Sequence, residues 1–351
     1  VSTRPVDGLD TGGVDSLDDW IQQLESVGHY LSCSSGTTGK PAMLSCTESD
    51  IELSARINAE GLLWATGLKR GEDRKFLGLG PQFAAAREDA IRQAMIDAFS
   101  SRYEPYQFGE GEPITIGSMV DMITLRRSLA DGTARPGELA EFEKIATQRA
   151  ADMEAAATKA IDAVIDARSL PLLATGMFAT LHQIAEGIRA KGHGGDDFSS
   201  DNAMMVAGGL KGAVLPPNYR EYVLDTFNVS EDRLYQAYSM REINATFPLC
   251  HAKRYHVSPW VIMLPLDEIG EHLLDTGEGE IEARAAFFDT SIEGRWGGVI
   301  SGDRVTVSFA ECECGHQGPT IGREITRYSD LPGGDKITCA GSIDAYVRGV
   351  A

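Results

Sequence analysis

The sequence predicts an α/β fold whose last third becomes a more antiparallel, barrel-like β layer, and three observations carry that reading. Residues 170 to 176 and 202 to 209 are short apolar runs, each ending in glycine. A helical pattern fills 178 to 191 between them, which is the spacing of a β-α-β unit. From residue 257 onward, apolar runs at 257–266, 279–288, 299–307 and 324–328 succeed one another without intervening helices. Short strands joined directly are the mark of antiparallel pairing.

The elements justify this in order. Residues 1 to 14 carry Gly, Asp, Thr and Pro without periodicity and read as a linker or arm. Ser16 is placed to cap a helix, with Asp18 and Asp19 in its first turn and Trp20, Ile21 and Leu24 at helical spacing. Thr47 opens another, whose apolar positions run from Ile51 through Leu63 and Trp64. Residues 75 to 81 form an apolar run closed by Gly80 and Pro81, a buried strand, and 84 to 99 return to helical spacing. An Ala-rich stretch from Pro136 to Arg168 reads as the longest helix or a helical pair. Its expected buried face holds Leu139, Phe142, Ile145, Ala146, Met153, Ile161, Val164 and Ile165, and Pro171 stops it.

Composition excludes several classes of partner. The formal net charge is -20, from 52 acidic against 32 basic side chains over 351 residues, which repels nucleic acid and anionic membrane surfaces. No apolar run has membrane-spanning length, and the acidic start lacks the basic and apolar regions of a signal peptide, so a cytoplasmic location is expected. Six cysteines are too few and too uneven for a disulfide framework. Cys312 and Cys314 form C-x-C and Cys250 lies among histidines, while Cys33, Cys46 and Cys339 stand alone.

The most informative stretch is Cys33-Ser34-Ser35-Gly36-Thr37-Thr38-Gly39-Lys40-Pro41. Hydroxyls, glycines and a lysine in so short a span suit a loop that wraps a polyphosphate. It is not a Walker A loop, because Ser34 stands where the first glycine is required and Pro41 where the metal-binding hydroxyl is required. The run resembles the S-S-G-T-T-G-K-P signature of the adenylate-forming superfamily, which includes acyl- and aryl-CoA synthetases. It departs at Ala42, where a basic residue is common.

Further landmarks follow in the family's order. Tyr238-Ser239-Met240-Arg241-Glu242 is similar to Y-G-x-T-E, with Ser239 for glycine and Arg241 for threonine. The resemblance implies that Tyr238 lies against adenine, that Arg241 meets phosphate in place of the hydroxyl, and that Glu242 holds Mg²⁺. Ser301-Gly302-Asp303 resembles T-G-D, whose aspartate accepts from the ribose hydroxyls. Residues 341 to 349 resemble the family's inter-domain hinge, with Ser342 and Ala345 departing from it. Within the superfamily the chain looks most like the phenylacetate-CoA ligase-like and acyl-protein synthetase branch. Cys250 and His256, spaced C-x-x-x-x-x-H, and Cys312-Glu313-Cys314-Gly315 then offer ligands for a structural Zn²⁺, as in some members. His251 and His316 are alternate ligands, and reduced, metal-free cysteines are the plainer alternative.

The resemblance implies the large N-terminal domain of the adenylate-forming fold, with the small C-terminal domain reading as absent. It divides the chain into an arm at 1–14, an α/β nucleotide- and acyl-binding core at 15–250, a β-rich subdomain with the zinc site at 251–340 and a hinge-like end at 341–351. The implied function is activation of a carboxylic acid by ATP to an adenylate, with AMP released on transfer to a thiol, either CoA or a protein cysteine. Lys40, Arg241 and Glu242 would carry catalysis. Ser34, Ser35, Gly36, Thr37, Thr38, Gly39, Gly208, Gly209, Tyr238, Ser239 and Asp303 would bind nucleotide. Residues 79 to 83, Met177, Phe178, Gly208 and Gly209 are candidate walls for the acid. Neither nucleic acid nor membrane is an expected partner, and homo- or hetero-oligomers are both compatible. A nucleotide- or partner-binding module of the same fold with reduced catalysis is the alternative class.

Overall fold

The computed structural model describes residues 2–33, 42–100, 102–109, 113–206, 208, 214–277, 279–332, 334 and 335. Ser16 caps α1 (Leu17–Ser26) through a box with Asp19, whose carboxylate accepts from the Ser16 N–H at 2.9 Å. A hairpin follows, β1 (Tyr30–Cys33) and β2 (Met43–Cys46), on either side of the signature run. Thr47 and Asp50 form the same kind of box at the start of α2 (Glu48–Thr66), and Gly67, at φ 66°, ends it in the left-handed conformation.

The chain continues through β3 (Lys75–Gly78), β4 (Phe83–Ala84), α3 (Ala86–Phe99), β5 (Tyr106–Gln107), β6 (Ile114–Thr115), α4 (Ile116–Ala130) and α5 (Pro136–Asp166). The expected β-α-β unit is present as β7 (Leu172–Gly176), α6 (Phe178–Ala190) and β8 (Ala203–Val206), followed by α7 (Tyr219–Phe227), β9 (Leu234–Ser239) and β10 (Thr246–Pro248). These strands make a six-stranded sheet in the order β10-β9-β8-β7-β3-β5, parallel except for the β10–β9 pair.

Alternation along the strands decides what each face holds. Leu172 and Ala174 pack with Ala160, Val164, Leu181 and Ile184 under α5 and α6. Leu173, between them, faces Leu62, Met95 and Phe99 of α2 and α3 on the other side. The parallel sheet is thus covered on both faces, and its strand ends are left for loops.

The helix α5 is a single one of 31 residues, and its burial corrects the expected stripe. Ile145 and Met153 are exposed, whereas Ala156, Ala157, Ala160 and Val164 are buried. In the first half Arg149 reaches Met122 of α4, but the C-terminal half packs on α6. There α6 comes so close at Gly187 that a Cβ would lie 2.1 Å from Ile161 Cδ1, so small side chains form the seam.

The last third is antiparallel, as the pattern predicts: β11 (Arg254–His256), β12 (Val261–Leu266), β13 (Glu280–Asp289), β14 (Gly298–Ser308) and β15 (Thr320–Arg327), in the order β11-β15-β14-β13-β12. Its inner face carries Val261, Met263, Ala285, Phe287, Val305, Val307 and Ile321, packed with Tyr238, Ile243, Ala245 and Phe247 from the region of β9 and β10. Among the described residues, no helix is long and apolar enough to cross a membrane.

Candidate active site and metal corner

The expected phosphate loop, Ser34, Ser35, Gly36, Thr37, Thr38, Gly39 and Lys40, lies outside the described residues, as do Gly209 and the hinge-like segment 341–351. The root of the loop is described. Cys33 pairs with Met43 in the β1–β2 hairpin, so the chain leaves and returns at one point. Burial pushes the Cys33 thiol up to about 11, and the charge of Arg241 works against that shift. The hairpin and the segment after β9 are joined by Arg295, which donates to the carbonyls of Ser45 and Arg241.

Arg241 follows β9 and its guanidinium forms an ion pair with Glu88 of α3. Burial, then the charge of Arg87, pushes it down to about 10. Ser239, exposed, ends β9 opposite Thr246, and Gly208, with φ 73°, follows β8. Both therefore stand at the C-terminal edge of the parallel strands, where open α/β sheets bind ligands.

Two buried arginines hold the backbone of this loop. Arg87 of α3 donates to the carbonyls of Ile243 at 2.9 Å, Arg241 at 3.3 Å and Asn244 at 3.3 Å. Arg295 donates to the carbonyls of Glu242 at 3.0 Å, Arg241 at 3.1 Å and Ser45 at 2.8 Å. Two carboxylates hold the N–H side. Asp289 accepts from Asn244 N–H at 2.8 Å and Ala245 N–H at 3.1 Å, and Asp50 accepts from the Asn244 amide and from Glu293 and Gly294 N–H, each at 2.9 Å. Burial opposes ionisation of Asp50, but these bonds and those from Thr47 outweigh it and hold its carboxyl below the usual range.

None of these four residues belongs to a motif that the sequence offers. Asp50 read only as part of a helix start. The usable signal was the glycine spacing nearby: a Cβ on Gly297 would lie 2.2 Å from the Asp289 carbonyl, and one on Gly294 would lie 2.8 Å from the Asp50 carboxylate.

The structure brings Tyr238 and Asp303 together. Along β14, Ser301, Asp303, Val305 and Val307 alternate onto the inner face, so the Asp303 carboxylate enters an apolar layer and needs a donor. Tyr238 supplies it, its hydroxyl donating to Asp303 Oδ2 at 2.7 Å, and Arg327 lies 3.7 Å from Oδ1. The Tyr238 ring sits among Phe247, Tyr255 and Phe287, each with its centroid about 6 Å away.

A second cluster lies at the junction of β10, β11 and the turn before β15. One ligand atom from each of Cys250, His256, Cys312 and Cys314 lies within 4.8 Å of the others. Two turns deliver them. Lys253, at φ 59°, lets its N–H reach the Cys250 carbonyl at 2.9 Å, and Gly315, at φ 85°, does the same for Cys312 at 2.8 Å. Cys250 Sγ and Cys312 Sγ are 3.9 Å apart, and Cys314 Sγ is 3.3 Å from His256 Nε2. A tetrahedral Zn²⁺ with ordinary bond lengths needs edges of about 3.8 Å between sulfurs and about 3.6 Å between sulfur and nitrogen. The donor set therefore fits zinc in chemistry and in spacing. Burial and the neighbouring Cys312 and Cys250 thiols push Cys314 up to about 11, the cost of gathering thiols without a cation. Of the alternate ligands, His251 is exposed, while His316 Nδ1 stands 3.7 Å from Cys314 Sγ.

Neither a protein-family model nor a curated protein sequence matches this chain. Among solved structures it is similar to 2-hydroxyisobutyryl-CoA ligase in an open conformation in complex with 2-HIB-AMP and CoA. That match has a TM-score of 0.51 and 14% identity, over 92% of this chain and 63% of the ligase. The same ligase in its postadenylation state with R3-HIB-AMP gives a TM-score of 0.52 and 13% identity, over 86% of this chain and 52% of the ligase. This chain thus spans between 52% and 63% of the length of those structures. At such identity the likeness speaks to architecture, and the architecture is the mixed α/β fold of the N-terminal domain of the adenylate-forming CoA ligases.

Proposed function

We propose that the chain activates a carboxylic acid with ATP, forming an acyl- or aryl-adenylate and passing the acyl group to a thiol. The observation that carries this reading is that Arg295 ties the β1–β2 hairpin, from which the phosphate-type loop leaves, to Arg241 at the C-terminal edge of the parallel sheet, through the carbonyls of Ser45 and Arg241. The carboxylate attacks the α-phosphorus, the bond from that phosphorus to the bridging oxygen breaks, and pyrophosphate leaves. A thiolate then attacks the acyl carbon and AMP leaves, the thiol proton passing to solvent.

Positioning and charge neutralisation do most of the work in such chemistry. Ser34 to Gly39 would donate to the phosphates, and Lys40 and Arg241 would neutralise them. Glu88 holds Arg241 in the free chain and would yield it, in part, to the nucleotide. Glu242 would hold Mg²⁺, which needs few protein carboxylates and supplies charge neutralisation when bound. The Arg87, Arg295, Asp50 and Asp289 network keeps the Glu242 backbone in place for that role. Asp303, oriented by Tyr238, would accept from the ribose, and Gly208 and Gly209 would let backbone approach the ligand.

Cys250, His256, Cys312 and Cys314 would hold one structural Zn²⁺, closing the turn after β10 onto the turn before β15. The phenylacetate-CoA ligase-like or acyl-protein synthetase branch, a cytoplasmic setting and the division at residue 250 belong to the same reading. Pyrophosphate exchange into ATP that depends on an added carboxylic acid tests it. Exchange with any acid of a panel supports the enzyme and names its substrate class, whereas nucleotide binding with no exchange favours the binding-module alternative.

A further inference from the structure

The metal corner contains a fifth donor, His316, that the four-ligand set does not use, and its partners fix what it does. Trp64, near the end of α2, donates its indole Nε1–H to His316 Nε2 at 2.9 Å. An indole nitrogen donates and never accepts, so Nε2 carries the lone pair. The neutral ring must then hold its proton on Nδ1, and that nitrogen is 3.7 Å from Cys314 Sγ, a distance suited to N–H···S. In this tautomer neither nitrogen of His316 has a free lone pair for a metal. The Trp64 indole also meets both rings edge-on, His256 at 5.2 Å and His316 at 4.9 Å between centroids.

We propose that His316 is a positioning residue and not a ligand: held by Trp64, it donates its Nδ1–H to the Cys314 thiolate and so links the metal corner to α2. This rests on the four-ligand metal reading given above. The bond lowers the charge density on one sulfur of a centre rich in thiolates, which keeps that sulfur bound and slows its release. It also gives the β layer a fixed contact with α2, whose first turn carries Asp50. The Cys312 N–H to His316 carbonyl bond, at 3.1 Å, folds the turn so that His316 arrives at this place.

The test uses the full chain reconstituted with Co²⁺ in place of Zn²⁺. In His316→Ala, one Co²⁺ per chain and the intensity of the visible d–d bands of a four-coordinate site are expected to persist. The thiolate-to-cobalt charge-transfer band is expected to move to lower energy, and metal loss to a chelator to quicken by about ten- to a hundredfold. Trp64→Phe should give the same shift in smaller degree. His316→Asn, which puts an amide N–H near the place of Nδ1, should restore most of the band position. Collapse of the d–d bands or loss of a nitrogen neighbour in X-ray absorption of His316→Ala would make His316 a ligand and overturn the proposal. Unchanged band position and chelator kinetics in His316→Ala would overturn it too, leaving the metal reading intact. A wild-type chain that takes up neither zinc nor cobalt overturns both.

Discussion

The loop after β9 and the Cys/His corner are both irregular backbone at the rim of a sheet, but they are held in opposite ways. The loop is held by groups that are already complementary: Arg87 and Arg295 on its carbonyls, Asp289 and Asp50 on its N–H groups. Charge and hydrogen bonding are largely satisfied within the chain. At the corner, three thiols and an imidazole face one another, and burial pushes the Cys314 thiol up rather than making it reactive. That arrangement is unfavourable until a cation arrives. One region is preorganised by the fold, and the other would be finished by its metal. The helix α2 touches both, with Asp50 in its first turn and Trp64 in its last; the fourteen helical steps from one to the other span about 21 Å and nearly four whole turns, so both face the same side.

Breaking the metal side should have the largest effect. Cys312→Ser combined with Cys314→Ser is expected to abolish zinc binding and to lower Tm by more than about 10 °C, because binding energy at such a site is folding energy. Elemental analysis and thermal unfolding measure both. If wild-type protein contains no zinc, or the double variant melts like wild type, the corner is not a metal site.

On the other side, Asp50→Ala leaves four donors without their acceptor, those of Asn244 and Gly294 buried and those of Thr47 and Glu293 half-buried. A loss of about 3–5 kcal/mol in denaturant unfolding is expected. Because Asp50→Ala keeps the four metal ligands, added chelator should still lower its Tm, whereas the cysteine variant should no longer respond to chelator. Equal chelator sensitivity in the two would erase the distinction drawn between these regions.

Glu242→Ala sharpens the comparison by separating chemistry from scaffold. Arg295 contacts the Glu242 carbonyl and Arg87 the carbonyls on either side of it, while neither is bonded to the Glu242 carboxylate. Acid-dependent pyrophosphate exchange should therefore fall about a hundredfold, about 2.7 kcal/mol in barrier, with Tm almost unchanged. A large fall in Tm would make Glu242 part of the holding network instead.

Glu88→Gln should act in the other direction. Its carboxylate competes with phosphate for Arg241, so the variant is expected to lower the KM for ATP a few-fold in the exchange assay. A raised KM would mean that Glu88 orients Arg241 for the nucleotide.

The smallest effect concerns pH. Hydrogen bonds from Arg220, with help from Lys253, hold Glu231 at about 2, below its ordinary value. A lowered carboxyl adds stability that is present above the unfolded value and fades as pH falls through the window toward 2. Glu231→Gln should flatten the stability profile between about pH 5 and pH 2, modestly, because the pair is half exposed and screened by salt. An unchanged slope would show that other carboxylates govern acid unfolding.

What was legible in the sequence divides along the same line. The β-α-β unit and the antiparallel third could be read because alternation and helical spacing are local patterns, and the Cys/His cluster because thiol and imidazole are scarce residue types. Arg87, Asp50, Asp289 and Arg295 could not be read, since each is a common charged residue whose role comes from partners up to about 250 positions away. Ile145, Ala146 and Met153 of α5, all exposed, were misjudged for a related reason. Apolar periodicity shows which face a helix can bury, not whether another element reaches that far.

The hairpin at the root of the signature loop has one further consequence. Its four ladder pairs, from Tyr30–Cys46 to Cys33–Met43, bring the two ends of segment 34–42 together before that segment contributes anything. Chain closure is then a property of the hairpin, and even doubling the length between its ends would add only about 0.6 kcal/mol. The scaffold and the chemistry are therefore separable modules. On the proposed function, substitutions within 34–41 would alter the handling of nucleotide with little effect on the closure of the hairpin that carries the segment.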